Sequence, residues 1–327
     1  MEWVRAKTVA EALSQAGPQS RFVGGGLSLT LLLERGLDRP ERLIDLSALP
    51  LRTIEGRPGE LRLGSQVRLA ALLQDPMVQS LAPLVRTIAG QIATPAIRNQ
   101  ATLGGELLER TRCPLFRDPS NVRCGKRLPG SGCAVLEGAT YAGAMFGASA
   151  ACVAPSASEL AVGLAAMSAA VTLHSPEGLG ERMLPMLDLY VEPGMHPERD
   201  HVLRPTELLM SVTVPVQPQR HFGYARMAES PLSPMASAAV MLEQREQRIV
   251  DARVILGGLS TRPWRAIASE QILTGQSPTE ALLDKAAEAV LTGSKARSDS
   301  RHLPALAKQV VREALRRAVE EHAAHRR

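Results

Sequence analysis

Residues 112–155 read RCPLFRDPSNVRCGKRLPGSGCAVLEGATYAGAMFGASAACVAP and contain all four cysteines of the chain. Ten residues separate Cys113 from Cys124, eight separate Cys124 from Cys133, and eighteen separate Cys133 from Cys152. The segment around the first three cysteines is rich in Pro, Gly, Arg, Asn and Ser and has neither helical nor strand periodicity. Burial of apolar side chains alone would not order such a segment. Four clustered thiols therefore suggest a metal centre, because four thiolates are the ligand set of a structural zinc or an iron–sulfur cluster.

An iron–sulfur cluster suits this spacing better than zinc does. Structural zinc sites usually contain cysteine pairs only about two to four residues apart, and this stretch has none. Wide gaps with glycine and proline suit a loop wrapped around a cluster. Five basic residues should lower the thiol pKa values and offset anionic sulfurs; they are Arg112, Arg117, Arg123, Lys126 and Arg127. Two disulfides, which need an oxidising compartment, or four unrelated buried cysteines are the alternatives.

The N-terminal part of the chain alternates predicted strands and helices. A capping box formed by Thr8 and Glu11 predicts a helix start. Residues 21–23 predict a strand, and the turn Gly24-Gly25-Gly26 joins it to a helix over 27–33 and a second strand over 43–46. This order predicts a βαβ unit with a parallel pair of strands. A glycine turn at a helix start can present backbone N–H groups to a phosphate, although three glycines alone more often mark only a tight turn.

A second glycine-bearing turn precedes the cysteines. It contains Thr102, Gly104 and Gly105, and it offers a hydroxyl and close backbone approach to a phosphate; a turn beside a strand is the simpler interpretation. Ser158 is a possible cap of a helix that follows the cysteines. Before the linker, the other predicted elements are a strand at 61–65, helices at 67–73 and 81–92 with Asp75-Pro76 between them, a strand at 170–174 and a turn at 175–178. A linker is predicted at 215–218. After it, the predicted elements are strands at 236–243 and 249–256, a turn at 257–258, three helical stretches between 266 and 322, and a frayed end at 322–327.

Composition excludes several classes of function. The chain has 327 residues, enough for two or three domains, and a net charge of +5 with its arginines spread along the sequence. Two Trp, three Tyr and four Phe residues are too few for a base-stacking platform, so no nucleic-acid partner is predicted. No apolar stretch reaches the ~18 residues of a membrane span, and the first residues do not form a signal peptide. We expect a cytoplasmic location, or a periplasmic one by export with a signal-bearing partner.

No pairing of a nucleophile with a base is visible, so no catalytic residue is predicted. The chain is expected to bind redox groups without performing substrate chemistry.

Taken in order, these segments resemble the FAD-binding medium subunit of the molybdenum hydroxylases, the xanthine dehydrogenase and carbon monoxide dehydrogenase family. The resemblance covers nearly the whole chain and rests on residues 22–29, 43–46, 97–105, 158–162, 256–258 and 262–266. The cysteine stretch is similar to the subgroup with an extra [4Fe–4S] cluster on this subunit, which includes periplasmic aldehyde oxidoreductase and 4-hydroxybenzoyl-CoA reductase. By this resemblance the cluster ligands would be Cys113, Cys124, Cys133 and Cys152.

The resemblance implies an α+β fold. A two-part FAD-binding domain would consist of a small βαβ unit (1–55) and a larger α+β subdomain (56–215, with the cysteine loop at 110–155), and a small antiparallel sheet with helices would follow (216–327). Electrons would pass from a large molybdenum-cofactor subunit through a small [2Fe–2S] subunit to FAD, and then to an external acceptor. The candidate FAD-binding residues are Gly24, Gly25, Gly26, Leu27, Ser28, Thr102, Gly104, Gly105, Glu106, Ser158 and Glu159.

The sequence departs from the family pattern around the flavin. Leu27-Ser28 replace a threonine followed by Asp or Asn, Glu106 replaces an asparagine, Glu159 replaces an aspartate, and residues 224–234 lack a basic and aromatic run. A carboxylate beside a pyrophosphate is repulsive unless Glu106 points away or is protonated. These changes motivate an alternative function, a flavin-free structural subunit that keeps the cluster and docks its partners. A third hypothesis is a zinc-stabilised scaffold without a cluster.

Overall fold

A three-stranded parallel sheet begins the chain in the computed structural model, which describes residues 1–138, 143–176, 180–230, 233–295, 297 and 300–325. Its strands are β1 (Glu2–Arg5), β2 (Ser20–Val23) and β3 (Arg42–Asp45), in the order β1-β3-β2, and helices α1 (Val9–Ser14) and α2 (Leu27–Glu34) connect them. The predicted βαβ unit is confirmed, with β2 parallel to β3. Thr8 Oγ1 accepts the Glu11 N–H at 3.1 Å, as the capping box predicted. The sequence did not predict β1, because its mostly exposed side chains give no alternating pattern.

A five-stranded antiparallel sheet forms the second layer, in the order β4-β5-β8-β6-β7. Its strands are β4 (Ile54–Arg57), β5 (Glu60–Gly64), β6 (Ala170–His174), β7 (Glu181–Pro185) and β8 (Leu208–Pro215). The chain between β5 and β6 makes a long excursion that contains the cysteine loop and, in its described part, seven helices. These helices are α3 (Leu69–Gln74), α4 (Pro76–Leu81), α5 (Pro83–Gln91), α6 (Pro95–Arg98), α7 (Leu103–Leu107), α8 (Pro114–Arg117) and α9 (Glu159–Ala166). The main apolar core lies between this sheet and helices α3, α5 and α9.

Prolines set the helix boundaries that the sequence analysis misplaced. The helix predicted over 81–92 begins only at Pro83, and Asp75-Pro76, expected between helices, starts α4. Proline lacks an N–H group and suits the first turn of a helix, where that donor would be unpaired. Asp75 Oδ1 caps the same helix by accepting the Met77 and Val78 N–H groups at 2.8 and 3.1 Å.

The described residues of the C-terminal part form a four-stranded antiparallel sheet, in the order β12-β11-β10-β9, and three helices. Its elements are β9 (Arg220–Ser230), β10 (Ser233–Arg245), β11 (Arg248–Gly257), β12 (Trp264–Arg265), α10 (Ile267–Leu273), α11 (Glu280–Ala289) and α12 (Leu303–His325). Helix α12 packs so closely on β9 that a Cβ atom at Gly223 would lie 1.8 Å from the Ala314 carbonyl oxygen. The predicted antiparallel sheet with helices is confirmed.

The remaining predictions concern a turn, the C-terminal end, the domain boundaries and membrane spans. The turn expected at 175–178 and the frayed end expected at 322–327 lie partly outside the described residues. The domain boundaries after residues 55 and 215 stay predictions. Among the described helices, none combines the length and apolar character needed to cross a membrane.

Candidate cofactor sites

The first glycine turn opens onto a cleft of about 310 Å³ at the carboxyl ends of the parallel strands. In open sheets this is the edge where ligands usually bind. Besides the turn, the lining residues are Trp3, Arg5, Val23, Leu29, Thr30, Leu33, Leu43, Asp45, Ser47, Arg68 and Gln100. Arg5 is paired with Asp45, with 2.8 Å between Nε and Oδ2, yet its side chain is 67% exposed. Arg5 and Arg68 therefore offer guanidinium N–H donors at the wall of this cleft, where Asp45 balances the charge of Arg5.

The two predicted glycine turns meet at one side of the cleft. The Gln100 side-chain amide donates to the Gly25 carbonyl oxygen at 3.0 Å. A Cβ atom at Gly25 would lie 2.4 Å from the Gln100 carbonyl oxygen, and one at Gly24 would lie 2.9 Å from Thr102 Oγ1. Only glycine permits this close backbone approach. A side chain at Gly24 or Gly25 would push the two turns apart.

Helix α2 starts in this cleft without a side-chain cap. Its N-cap is Gly26, with φ of +76°, and no side chain accepts from the first N–H groups of the helix. Unpaired N–H groups at a helix start bind anions well, so the turn suits a phosphate through its backbone. The side chains of Leu27 and Ser28 do not line the cleft. The threonine hydroxyl of the family pattern, which is absent at Leu27, is therefore not required for this backbone cradle.

Contacts within the protein stabilise the second turn. Thr102 is buried, and its Oγ1 accepts the Gly105 N–H at 3.1 Å to cap α7. A Cβ atom at Gly104 would lie 3.0 Å from the Ser65 carbonyl oxygen. Gln100 lines the cleft, whereas Thr102, Gly104 and Gly105 lie behind its wall. The glycines here permit close packing of the segment that presents Gln100.

Glu106 points away from the cleft and caps helix α9. Its Oε2 accepts the Ser158 hydroxyl at 2.6 Å, and its Oε1 accepts the Glu159 and Leu160 N–H groups at 3.0 and 3.4 Å. Ser158 Oγ in turn accepts the Ala161 N–H at 3.1 Å, which confirms its predicted capping role. Burial raises the pKa of Glu106 to about 7, against the opposing effect of the Ser158 hydrogen bond. The carboxylate therefore faces the protein interior instead of the cleft.

Glu159 joins α9 to the C-terminal sheet. Its Oε1 accepts from the Tyr224 hydroxyl at 2.7 Å and from Arg226 Nε at 2.8 Å, and its Oε2 accepts from Arg226 Nη2 at 3.1 Å. Arg226 also donates to the Gln91 carbonyl oxygen at 3.0 Å. Ser158 and Glu159 thus form an internal hydrogen-bond network with Glu106, separate from the glycine cleft. The sequence analysis did not identify Tyr224 and Arg226 as the partners of Glu159.

The four cysteines line one small cavity in the cysteine loop. All four are free thiols, and Cys113, Cys124 and Cys152 are buried, so the disulfide alternative is wrong. Residues around Cys124 and Cys133 pair as a short antiparallel bridge, with the Gly125 N–H 2.6 Å from the Gly132 carbonyl oxygen. The Cys113 and Cys152 segments are tied together by Thr111, whose Oγ1 accepts the Cys113 N–H at 3.2 Å and donates to the Pro155 carbonyl oxygen at 2.8 Å.

The donor set of this cavity fits a cluster better than a single metal ion. No three His, Cys, Asp or Glu side chains among the described residues could hold one metal ion together, whereas the thiolates of a tetrahedral zinc lie only about 4 Å apart. In a four-iron cluster each thiolate binds a different iron, so more widely spaced sulfurs are accommodated. The Ala154 N–H lies 3.4 Å from Cys152 Sγ, and backbone N–H groups of Leu115 and Phe116 face the Cys113 thiol.

The basic residues do not lower the pKa values of the buried thiols as expected. Burial raises the pKa of Cys113 to about 11, and it raises the pKa of Cys152 despite the opposing charge of Lys126. The expectation was wrong because desolvation by burial outweighs the nearby positive charge, and carboxylates balance part of that charge. Arg112 and Arg117 both contact Glu109, at 2.7 and 3.1 Å, and Arg123 pairs with Glu137. A bound metal, not the arginines, would have to supply the charge that deprotonates these thiols.

Helix α2 contacts both sites. Leu29, Thr30 and Leu33 line the glycine cleft, and Leu32 packs against the cysteine site in one apolar cluster with Cys113, Phe116, Cys124 and Cys152. Arg35, which follows the helix, donates to the Arg117 carbonyl oxygen at 3.2 Å. Because neighbouring residues of one helix contact the cleft and the cysteine cavity, α2 links the two sites.

A backbone phosphate cradle on a βαβ unit, a larger α+β part and an antiparallel domain with helices define an FAD-binding redox subunit. Residues 1–217 match the family described as FAD binding domain in molybdopterin dehydrogenase, and residues 222–322 match the CO dehydrogenase flavoprotein C-terminal domain. The chain therefore belongs to the FAD-binding medium subunits of the molybdenum hydroxylase family.

Individual relatives agree with this assignment. The chain is 38% identical over 274 residues to the aldehyde oxidoreductase FAD-binding subunit PaoB of Escherichia coli, covering 83% of this chain and 85% of that one. It is 24% identical over 334 residues to the carbon monoxide dehydrogenase medium chain of Afipia carboxidovorans, covering 97% and 96%. The solved carbon monoxide dehydrogenase of Hydrogenophaga pseudoflava shares the fold, with a TM-score of 0.77 at 22% identity and 98% of each chain covered.

Proposed function

We propose that this chain is the electron-transfer subunit of a heteromeric molybdenum hydroxylase and binds FAD and one [4Fe–4S] cluster. Its partners are a small [2Fe–2S] subunit and a large molybdenum-cofactor subunit, and its location is cytoplasmic, or periplasmic by export with a signal-bearing partner. The printed roles of its relatives, an aldehyde oxidoreductase subunit and a carbon monoxide dehydrogenase medium chain, support this function. Bound FAD would accept electrons from the [2Fe–2S] centres and pass them to an external acceptor.

The shared helix α2 is the observation that supports the proposal most strongly. Gly24, Gly25 and Gly26 would hold the FAD phosphates at its first turn with the help of Arg5 and Arg68. The four cysteines would hold the cluster against Leu32 on the same helix. Two cofactors that contact neighbouring residues of one helix would be near neighbours, which suits exchange of electrons between them.

The flavin-free alternative was based on sequence changes around the predicted flavin site, and the contacts of these residues do not favour it. Glu106 and Glu159, two of the departures that suggested it, form hydrogen bonds within the protein and have no carboxylate directed at the cleft. Leu27 and Ser28 leave the backbone donors of the turn intact. We therefore keep FAD in the proposal, and we keep zinc in place of the cluster as an outcome of the test.

The test is an anaerobic purification of the chain with its partner subunits, followed by acid extraction and quantitation of flavin, iron and zinc. About one FAD and about four irons beyond those of the [2Fe–2S] subunit are expected. Iron without flavin would overturn the FAD assignment, and zinc without the additional irons would overturn the cluster assignment.

Two variants serve as reciprocal controls. Cys113→Ser removes one thiol and should lose the additional irons while it keeps flavin. Gly25→Ala places a methyl group 2.4 Å from a carbonyl oxygen of the facing turn and should lose flavin while it keeps the irons. Gly17→Ala, where a Cβ atom meets nothing within 4 Å, should retain both cofactors.

A further inference from the structure

Lys126 is a buried ammonium group at the wall of the cysteine cavity. Its side chain is only 6% exposed, and its Nζ donates to the Pro197 carbonyl oxygen at 2.7 Å and to Asp200 Oδ1 at 2.6 Å. Lysine is almost never buried to this extent unless it is paired. Among the described residues that line the cavity, only Lys126 and Arg123 have a formal charge.

Asp200 is shared between two cations. Its Oδ2 lies 2.7 Å from Arg110 Nε, and Arg110 also stacks on the Phe116 ring at 4.7 Å. Burial opposes ionisation of Asp200, but Arg110 and Lys126 more than offset it, so the pKa of this carboxyl lies below its usual range. The group of Lys126, Asp200 and Arg110 thus contains two positive charges and one negative charge, an excess of one positive charge beside the cavity.

The other basic residue of the cavity wall is in a different environment. The Arg123 side chain is 63% exposed and pairs with Glu137. Exposed charges are screened by water and salt, whereas buried charges act through a medium of lower dielectric constant. Lys126 is therefore the stronger electrostatic influence on whatever the four thiols bind.

We propose that Lys126 sets the reduction potential of the cluster, with Asp200 as its counter-charge; this inference rests on the proposed [4Fe–4S] site. Reduction adds one electron, and thus one negative charge, to the cluster. A fixed positive charge at the cavity wall stabilises the reduced form more than the oxidised form and raises the potential. Removing Lys126 should lower the potential, and removing the charge of Asp200 should raise it.

The test is an anaerobic dithionite titration of the purified heteromeric complex, followed by electron paramagnetic resonance of the reduced cluster. Lys126→Gln should move the midpoint to a more negative potential, and Asp200→Asn should move it to a more positive one. Lys126→Arg, which keeps the charge, and Arg123→Gln, which changes an exposed cation, should both stay close to the wild-type midpoint.

Midpoint shifts of opposite sign for Lys126→Gln and Asp200→Asn distinguish an electrostatic effect from a loosening of the cysteine loop. Shifts of Lys126→Gln and Asp200→Asn in the same direction, or shifts no larger than that of Arg123→Gln, would overturn the inference. If Lys126→Gln fails to assemble, the directions found for Asp200→Asn and Lys126→Arg decide the question. Absence of the additional irons from the wild-type complex would instead refute the proposed function, which the iron analysis of each sample detects separately.

Discussion

Replacing Glu106 by glutamine should remove a pH-dependent loss of stability. In the folded chain burial raises the pKa of Glu106 to about 7, from an ordinary value of 4.5. Because the folded-state pKa lies above the unfolded one, the fold favours the protonated carboxyl. The resulting penalty is absent below pH 4.5, grows as pH rises from 4.5 to about 7, and is complete above that. This difference in pKa corresponds to about 3 kcal/mol of unfolding free energy.

Glutamine preserves the local hydrogen bonds of this side chain. Its carbonyl oxygen can accept the Glu159 and Leu160 N–H groups, and its amide can donate to Ser158 Oγ, so the cap of α9 stays in place. Glu106→Gln should therefore match the wild type near pH 4.5 and exceed it above pH 7. With roughly 2 °C of melting temperature per kcal/mol in a domain of this size, the gain above neutral pH should be about 6 °C.

The assay is thermal melting of both proteins from about pH 5 to about pH 9 in parallel. Glu229→Gln is the matched control, because Glu229 is an exposed carboxylate on β9, and its melting curve should follow that of the wild type at each pH. Parallel pH profiles for the wild type and Glu106→Gln would refute the reasoning. They would mean that the N–H donors of α9 fully stabilise the buried carboxylate.

Three further substitutions test the packing around the sites. Leu32→Ala should lower the free energy of unfolding by about 2–4 kcal/mol and make the cysteine site lose iron more easily, because Leu32 is buried. Leu31 on the same helix is partly exposed, so Leu31→Ala should have neither effect. Urea unfolding and the rate of iron release measure the two effects. Arg226→Met leaves Glu159 buried without its cation and should cost about 3–5 kcal/mol in urea unfolding, and an equal loss in the double variant with Glu159→Gln would contradict this. Gly223→Ala should destabilise the C-terminal domain by more than about 2 kcal/mol and lower its melting temperature, because the methyl group would lie 1.8 Å from a carbonyl oxygen of α12.

Local signals predicted the first glycine turn and its flanking strand and helix well. The glycine turn between a short strand and a helix was visible because glycine, apolar periodicity and capping residues are features of neighbouring residues. The structure places Gly24, Gly25 and Gly26 on the cleft as expected. The residues that complete the cleft were not predictable in this way, because Arg5, Arg68 and Gln100 are brought to it by the fold.

The sequence did not predict the direction in which the side chains of the candidate sites point. Glu106 follows Gly105 directly, yet its carboxylate bonds to Ser158 and Glu159, more than fifty positions later in the chain. The same limit applies to charge. The arginines near the cysteines are close in sequence, but Arg112 and Arg117 share the single carboxylate of Glu109, and only the folded chain shows that Lys126 is the buried cation at the cavity wall.

Helix α2 has a consequence for the maturation of the subunit. Leu29, Thr30 and Leu33 of this helix line the glycine cleft and Leu32 packs on the cysteines, so a group that fixes the helix at one site also fixes it at the other. Binding of FAD and assembly of the cluster should then favour each other, and by thermodynamic reciprocity each would increase the affinity of the other by the same factor. A subunit that holds a single cofactor would therefore keep it, but less tightly than a subunit that holds both.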